Sequence, residues 1–129
     1  MVLEQLQERL LCSSESAAQA RGMLRRLSVP LSRTDAETAS LVLTELITNA
    51  VRHGCPDSEA GVGVAILRAP GYLRFEISQS GPVLEPQQIR QRQAGVERGY
   101  GILILDRLCR AWGVDDGARM VWAEVPLDG

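Results

Sequence analysis

Residues 34–54 read TDAETASLVLTELITNAVRHG, and this stretch decides the fold. At about 100° per residue, Ala39, Val42, Leu43, Leu46, Ile47, Ala50 and Val51 fall on one side of a helix. Thr38, Glu45, Thr48, Asn49 and Arg52 fall on the other, with His53 at the edge. Thr34 and Glu37 have the spacing of a capping box, and Gly54 stands where a helix usually stops. The spacing predicts a long amphipathic helix with one core-facing stripe. On its polar side Glu45 and Asn49 lie one turn apart, so a carboxylate and an amide point the same way. A solvated face is the ordinary reading of such a pair; the rest of the chain suggests a chemical one.

Bulk properties set limits around that helix. A chain of 129 residues is about one domain's worth, long enough for a single sizeable core. A formal net charge of −2 argues against direct nucleic-acid binding through a basic surface. All 14 cationic side chains of the Lys+Arg count are Arg, a bias most simply ascribed to a GC-rich genome. Cys12, Cys55 and Cys109 are odd in number and lack metal-ligand spacing, so reduced thiols in a cytoplasmic protein are expected. No apolar run approaches membrane length, and the start MVLEQLQERLL lacks the basic region and cleavage site of a signal peptide. With one His, neither a His-rich metal site nor a conventional catalytic triad is expected.

In chain order, residues 2–12 suit either a short strand or a helix, since Leu3, Leu6, Leu10 and Leu11 have helical spacing. Ser13 or Ser14 is placed to cap a helix through SESAAQARGMLRRL, with Ala17, Ala20, Met23, Leu24 and Leu27 as its stripe and Val29-Pro30 as its stop. After Gly61 the period changes. VGVAILR and the alternating YLRFEIS predict two strands joined at Ala69-Pro70-Gly71. Residues 83–98 are polar and predict a mobile loop, with room for one helical turn around 87–92. Gly99-Tyr100-Gly101 then opens an apolar helix, ILILDRLCRAW, and a last hairpin turns at Asp116-Gly117 before the strand ARMVWAEV. This order predicts an α+β fold, a layer of helices on one face of a sheet.

Three polar features call for one explanation. Glu45 and Asn49 occupy the polar side of a core helix, the turn SQSGP follows a strand, and Gly-x-Gly opens a helix after a long loop. A glycine-preceded helix N-terminus presents unpaired N–H groups and a positive dipole end, which suits a polyphosphate. An amide oxygen suits Mg²⁺, which takes one or two protein ligands beside phosphates and water. A neighbouring carboxylate suits proton abstraction from an attacking group.

Together ELITNAVRHG, ISQSGPVLEP and RGYGILILDRLC resemble the N box and the two glycine boxes of the GHKL ATPases. The length and the ending WGVDDGARMVWAEVPL resemble the stand-alone bacterial anti-sigma factor serine kinases, over about residues 14–127 of a single 1–129 domain. The resemblance implies a Bergerat-type two-layer α/β sandwich, with helices on one face of a mixed, mainly antiparallel sheet. It also favours a strand near residues 9–12. Glu45 matches the base for phosphoryl transfer, and Asn49 the Mg²⁺ ligand. Gln79 and Gly81 match the first glycine box, while Gly99, Tyr100 and Gly101 match the second, beneath a lid at 83–98. Arg98 stands where it would meet a terminal phosphate. His53 matches a position often held by His, for the nucleotide or for the helix end. The implied cofactors are ATP and Mg²⁺. The implied partners are a sigma factor and a small anti-anti-sigma antagonist, with homodimers common among such proteins.

The first glycine box departs from Asp-x-Gly-x-Gly: Gln79 replaces the adenine-binding Asp, and Val83 replaces the second Gly. A neutral acceptor for a charged one weakens that contact by about 1–1.5 kcal/mol. Gln also carries a donor that an amide flip exchanges with its acceptor, so discrimination against guanine is expected to relax. Two readings stand at this point: a protein kinase that also sequesters a sigma factor, and a partner-switching module that binds without useful catalysis.

Overall fold

The computed structural model describes residues 1–53, 55, 61–81 and 100–128, with residues 100–102 described as backbone. Its elements in chain order are β1 (Glu4–Leu11), α1 (Ser16–Leu24), α2 (Arg33–His53), β2 (Gly61–Ala69), β3 (Tyr72–Gln79), α3 (Tyr100–Leu108), β4 (Ala111–Asp115) and β5 (Met120–Pro126). The sheet order is β1-β2-β3-β5-β4. All four strand pairings are antiparallel, so the mixed sheet expected from the sequence is fully antiparallel among the described residues.

Alternation along the strands assigns the two faces. Leu6, Leu10, Val62, Val64, Ile66, Leu73, Phe75, Ile77, Ala123 and Val125 point to one face and join the core beneath the helices. The other face is mixed, with a charged cluster at its centre. There Arg74 pairs with Glu76 at 2.8 Å and with Glu124 at 2.9 Å, and its guanidinium lies 4.5 Å from the Trp122 ring centroid. The α+β two-layer architecture follows from this asymmetry: the large, fully buried apolar side chains of the sheet lie on the face covered by helices.

The undecided N-terminal segment is a strand. Its leucines fit a helix by spacing, but as a strand Leu6 falls opposite Ile66 and Leu10 opposite Val62, which puts both on the core face. Glu4 and Glu8 share that face at its rim. Glu4 accepts the Ser28 N–H at 2.9 Å, and Glu8 pairs with Arg26.

Helix α2 spans 21 residues, and Ala39, Val42, Leu43, Leu46, Ile47 and Ala50 are buried as the 3.6-residue period requires. Val51 is half-buried. The cap lies two residues earlier than the sequence suggests. The Ser32 hydroxyl accepts the Asp35 N–H at 3.1 Å, and its carbonyl accepts the Ala36 N–H at 2.8 Å. Glu37, freed from a capping role, pairs with Arg33 at 3.1 Å. Two overlapping cap signals compete here, and the tertiary anchor decides: Asp35, 5 % exposed, accepts the Asp128 N–H with both carboxylate oxygens.

Other boundaries also shift. Neither Ser13 nor Ser14 caps α1. Its N-cap is Glu15, with no side-chain cap bond, while the Ser13 hydroxyl supports the turn by accepting the Glu15 N–H at 3.2 Å. Helix α1 ends at Leu24, short of Val29-Pro30, yet its predicted stripe is kept, with Ala20, Met23, Leu24 and Leu27 buried. Helix α3 stops at Leu108, because Ala111 and Trp112 are drawn into β4 opposite Glu124 and Ala123. The β2–β3 turn is as predicted, with Gly71 at φ 85°, a conformation that favours glycine. Gly54 and the loop at 83–98 lie outside the described residues. Among the described residues no helix is long and apolar enough to cross a membrane.

The cysteines depart from the reduced state expected of them. Cys12 and Cys55 form a disulfide, with Cα atoms 6.3 Å apart and a sequence separation of 43; Cys109 is free. The end of β1 and the end of α2 meet at the same edge of the sheet, a proximity that no local pattern records. A cross-link closing a loop of this size contributes about 2–4 kcal/mol. The Cys12→Ser/Cys55→Ser variant is therefore expected to unfold at lower urea than the oxidised protein, by that amount, and to gain nothing from oxidant. Coincident urea curves would show that the bridge adds no stability.

Candidate nucleotide-binding site

The topology brings the motif-bearing segments to one end of the sheet. Helix α2 begins beside the end of β5, where Asp35 holds Asp128, and the Leu127 N–H bonds to the Gly71 carbonyl at the start of β3. Its 21 residues span about 30 Å, while the eight of β3 span about 27 Å. Helix and strand therefore run side by side, and the last turns of α2 come level with Gln79. The disulfide gives the same placement independently. Cys12 follows Leu11, Leu11 pairs with Gly61, and Val62 pairs with Gln79, so Cys55 is tied to the Gln79 end. Helix α3 completes the set. It leads into β4 at Ala111, opposite Glu124, so its N-terminus points back toward the Gln79 end.

On this end Glu45 and Asn49 are half-buried, one turn apart on α2, and His53 is exposed in the last turn. Gln79 is half-buried as the final residue of β3, and Gly81 is buried in the turn that follows. Tyr100 and Gly101 form the first turn of α3, which aligns their N–H groups with the helix start. Arg98, Gly99 and Val83 lie outside the described residues. An adjoining flank of α2 turns toward α1, where Arg21 donates to the Thr44 hydroxyl at 3.0 Å. On that side Ser13, Ser14, Ala17, Ile47, Thr48, Val51 and Arg52 line a cleft of about 380 Å³, which contains neither Glu45 nor Asn49.

Partial burial sets the chemistry of Glu45. Desolvation raises its pKa above the ordinary 4.5, and the positive charge of Arg52 opposes that rise. A carboxylate that holds its proton more tightly is a stronger base once ionised. Arg52, seven residues after Glu45 and so close to it in helical phase, lines the cleft on the α1 side while its charge acts on Glu45; the motifs did not single it out. Cys109 offers no reactive thiolate: burial first, and then Asp106, pushes its thiol up to about 12.

The donor chemistry suits Mg²⁺. Asn49 offers a neutral amide oxygen beside a carboxylate, and Mg²⁺ takes few protein ligands when phosphates and water supply the rest. Among the described residues no group of three or more His, Cys, Asp or Glu is gathered into a cage.

A family model for the histidine kinase-like ATPase domain matches residues 12–124, most of the chain. The chain belongs to the histidine kinase-like ATPase family. Comparison with curated proteins gave no match. Membership supports ATP binding and an ATP-dependent, kinase-like activity for this histidine kinase-like ATPase domain, in keeping with the antiparallel sheet and one-sided helical layer.

The electrostatics of Glu45 are open to direct measurement. Carbon-detected NMR titration is expected to give its carboxyl a midpoint above 4.5. The ionised form is therefore lost as pH falls through a value higher than that of an ordinary glutamate. Arg52→Ala removes the opposing charge and should move the midpoint further up. A midpoint at or below 4.5 in the unaltered protein would contradict the burial argument.

Proposed function

We propose that the protein is an anti-sigma factor and serine/threonine protein kinase. On this reading it sequesters a sigma factor, and it uses Mg²⁺-ATP to phosphorylate a small anti-anti-sigma antagonist that would otherwise release that factor. The observation that supports the reading is the convergence of three motifs at one sheet end of a histidine kinase-like ATPase domain. The motif residues that meet there are ELITNAVRH of α2, SQSG at the end of β3 and Tyr100-Gly101 at the start of α3.

In the transfer step Glu45 accepts the proton of the antagonist's serine hydroxyl. The serine oxygen forms a bond to the γ-phosphorus, the bond from that phosphorus to the β–γ bridging oxygen breaks, and ADP leaves with the bonding pair. Asn49 would hold Mg²⁺, which when bound offsets phosphate charge. The N–H groups at the start of α3 and Arg98 stabilise the phosphates, and Gln79 faces the base. His53 secures the end of α2 near them. The reading takes residues 1–129 as one domain acting in the cytoplasm, with homodimer formation as part of it.

A second reading follows from Gln79. A neutral amide in place of the base-binding carboxylate favours a partner-switching module that binds nucleotide weakly and sequesters a sigma factor or another regulator without catalysis.

Glu45→Ala separates the two. Under the kinase reading the variant keeps ATP affinity within about threefold, while transfer of labelled γ-phosphate to a small antagonist-domain protein from the same genome slows by about 10²-fold or more at saturating ATP. An equal rate in both forms removes Glu45 from the mechanism. Absence of transfer in the unaltered protein favours the non-catalytic reading.

A further inference from the structure

The turn that carries Gln79 is gripped from outside the motifs. The β3–β5 ladder ends at the Ser78–Met120 pair. One residue further on, the Gln79 N–H donates to the Arg119 carbonyl at 3.0 Å, and Arg119 Nη1 donates to the Ser80 carbonyl. One residue therefore holds two successive residues of the glycine-box turn, with its backbone on Gln79 and its side chain on Ser80. Gly81, buried, follows directly.

Arg119 is itself held in an unusual conformation. Its φ is 49°, the one positive value at a non-glycine position among the described residues, in the left-handed region that glycine or asparagine commonly fills. The hairpin turn fixes it there: the Arg119 N–H bonds to the Asp116 carbonyl at 3.2 Å, and the Ala118 N–H to Asp115 Oδ1 at 3.1 Å. A turn built only to reverse the chain is better served by glycine at such a φ. Arginine in its place supplies the guanidinium that reaches Ser80.

We propose that Arg119 is a positioning residue for base recognition, fixing the backbone from which the Gln79 side chain and Gly81 meet the nucleotide base. The proposal rests on the reading of Gln79 as the base contact. It assigns Arg119 no contact with the phosphates, which lie with the α2 and α3 segments, and that separation makes it testable.

Arg119→Gly removes the guanidinium while leaving a residue at ease at positive φ, so the hairpin is retained. Arg119→Lys keeps a cationic donor. Affinities for Mg²⁺-ATP, Mg²⁺-GTP and inorganic tripolyphosphate are measured by calorimetry on the full chain and both variants. Loss of one positioning hydrogen bond is expected to weaken ATP by about three- to tenfold in Arg119→Gly, to bring ATP and GTP closer in affinity, and to leave tripolyphosphate unchanged. Arg119→Lys should recover most of the loss. Unchanged ATP affinity in Arg119→Gly overturns the inference while the nucleotide reading stands. A parallel loss of ATP and tripolyphosphate overturns it as well, since it marks a general structural role. No ATP binding by the unaltered protein overturns both.

Discussion

Helix α2 lies along β3 with Val42, Leu43, Leu46 and Ile47 pressed into the sheet, each at most 2 % exposed. Each such side chain contributes roughly 1.5–3 kcal/mol by leaving water, so rotation of the helix about its axis would cost most of that contact. The constraint is strict because Leu73, Phe75 and Ile77 opposite are themselves fully buried and leave no slack in a close-packed layer. Once the apolar stripe is fixed, the polar side has no freedom: Glu45 and Asn49 must face the flank of the helix, half in and half out of solvent. The site is a by-product of core packing in this sense.

Both ends of the helix are secured by different means, and the difference suits the division of labour between them. The N-terminal end is held by polar bonds, with Ser32 capping and the Asp35 carboxylate accepting the Asp128 N–H. The C-terminal end, where the candidate site lies, is held covalently through Cys12 and Cys55. Glu45 sits between a desolvating interior and the Arg52 charge. A small displacement of the last helical turns would alter both terms at once. Anchoring that end fixes the charge balance of the carboxylate as well as its position.

What the sequence disclosed follows from how local each signal is. The buried face of α2 was legible because a 3.6-residue period needs only one segment to express it, and YLRFEIS was legible for the same reason at period two. The state of residues 4–11 was not, because leucines at 3, 6, 10 and 11 have helical spacing, and only the pairing of Leu6 with Ile66 and Leu10 with Val62 makes the segment a strand. The cap at Ser32 was hidden by a second cap signal two residues on, and the choice between them rests on Asp128, far away in the chain. The Cys12–Cys55 bridge and the grip of Arg119 on the Gln79 turn are wholly tertiary. At the site, Glu45, Asn49, Gln79, Gly81 and Gly101 could be named from motifs in order, whereas Arg52 needed the helical wheel and a charge argument. The motifs supplied the residue names, and the fold alone supplied their common location.

The central claim is that one end of the sheet, where α2, β3 and the start of α3 converge, binds nucleotide. Amide NMR during titration with ATP and Mg²⁺ tests it most directly. Nucleotide binding at this end is expected to shift Glu45, Asn49, His53, Gln79, Ser80, Gly81, Tyr100 and Gly101, with Asp35, Gly71 and Asp128 at the opposite end unmoved. Shifts centred on the Asp35–Asp128 end, or on the cleft between α1 and α2, would contradict it.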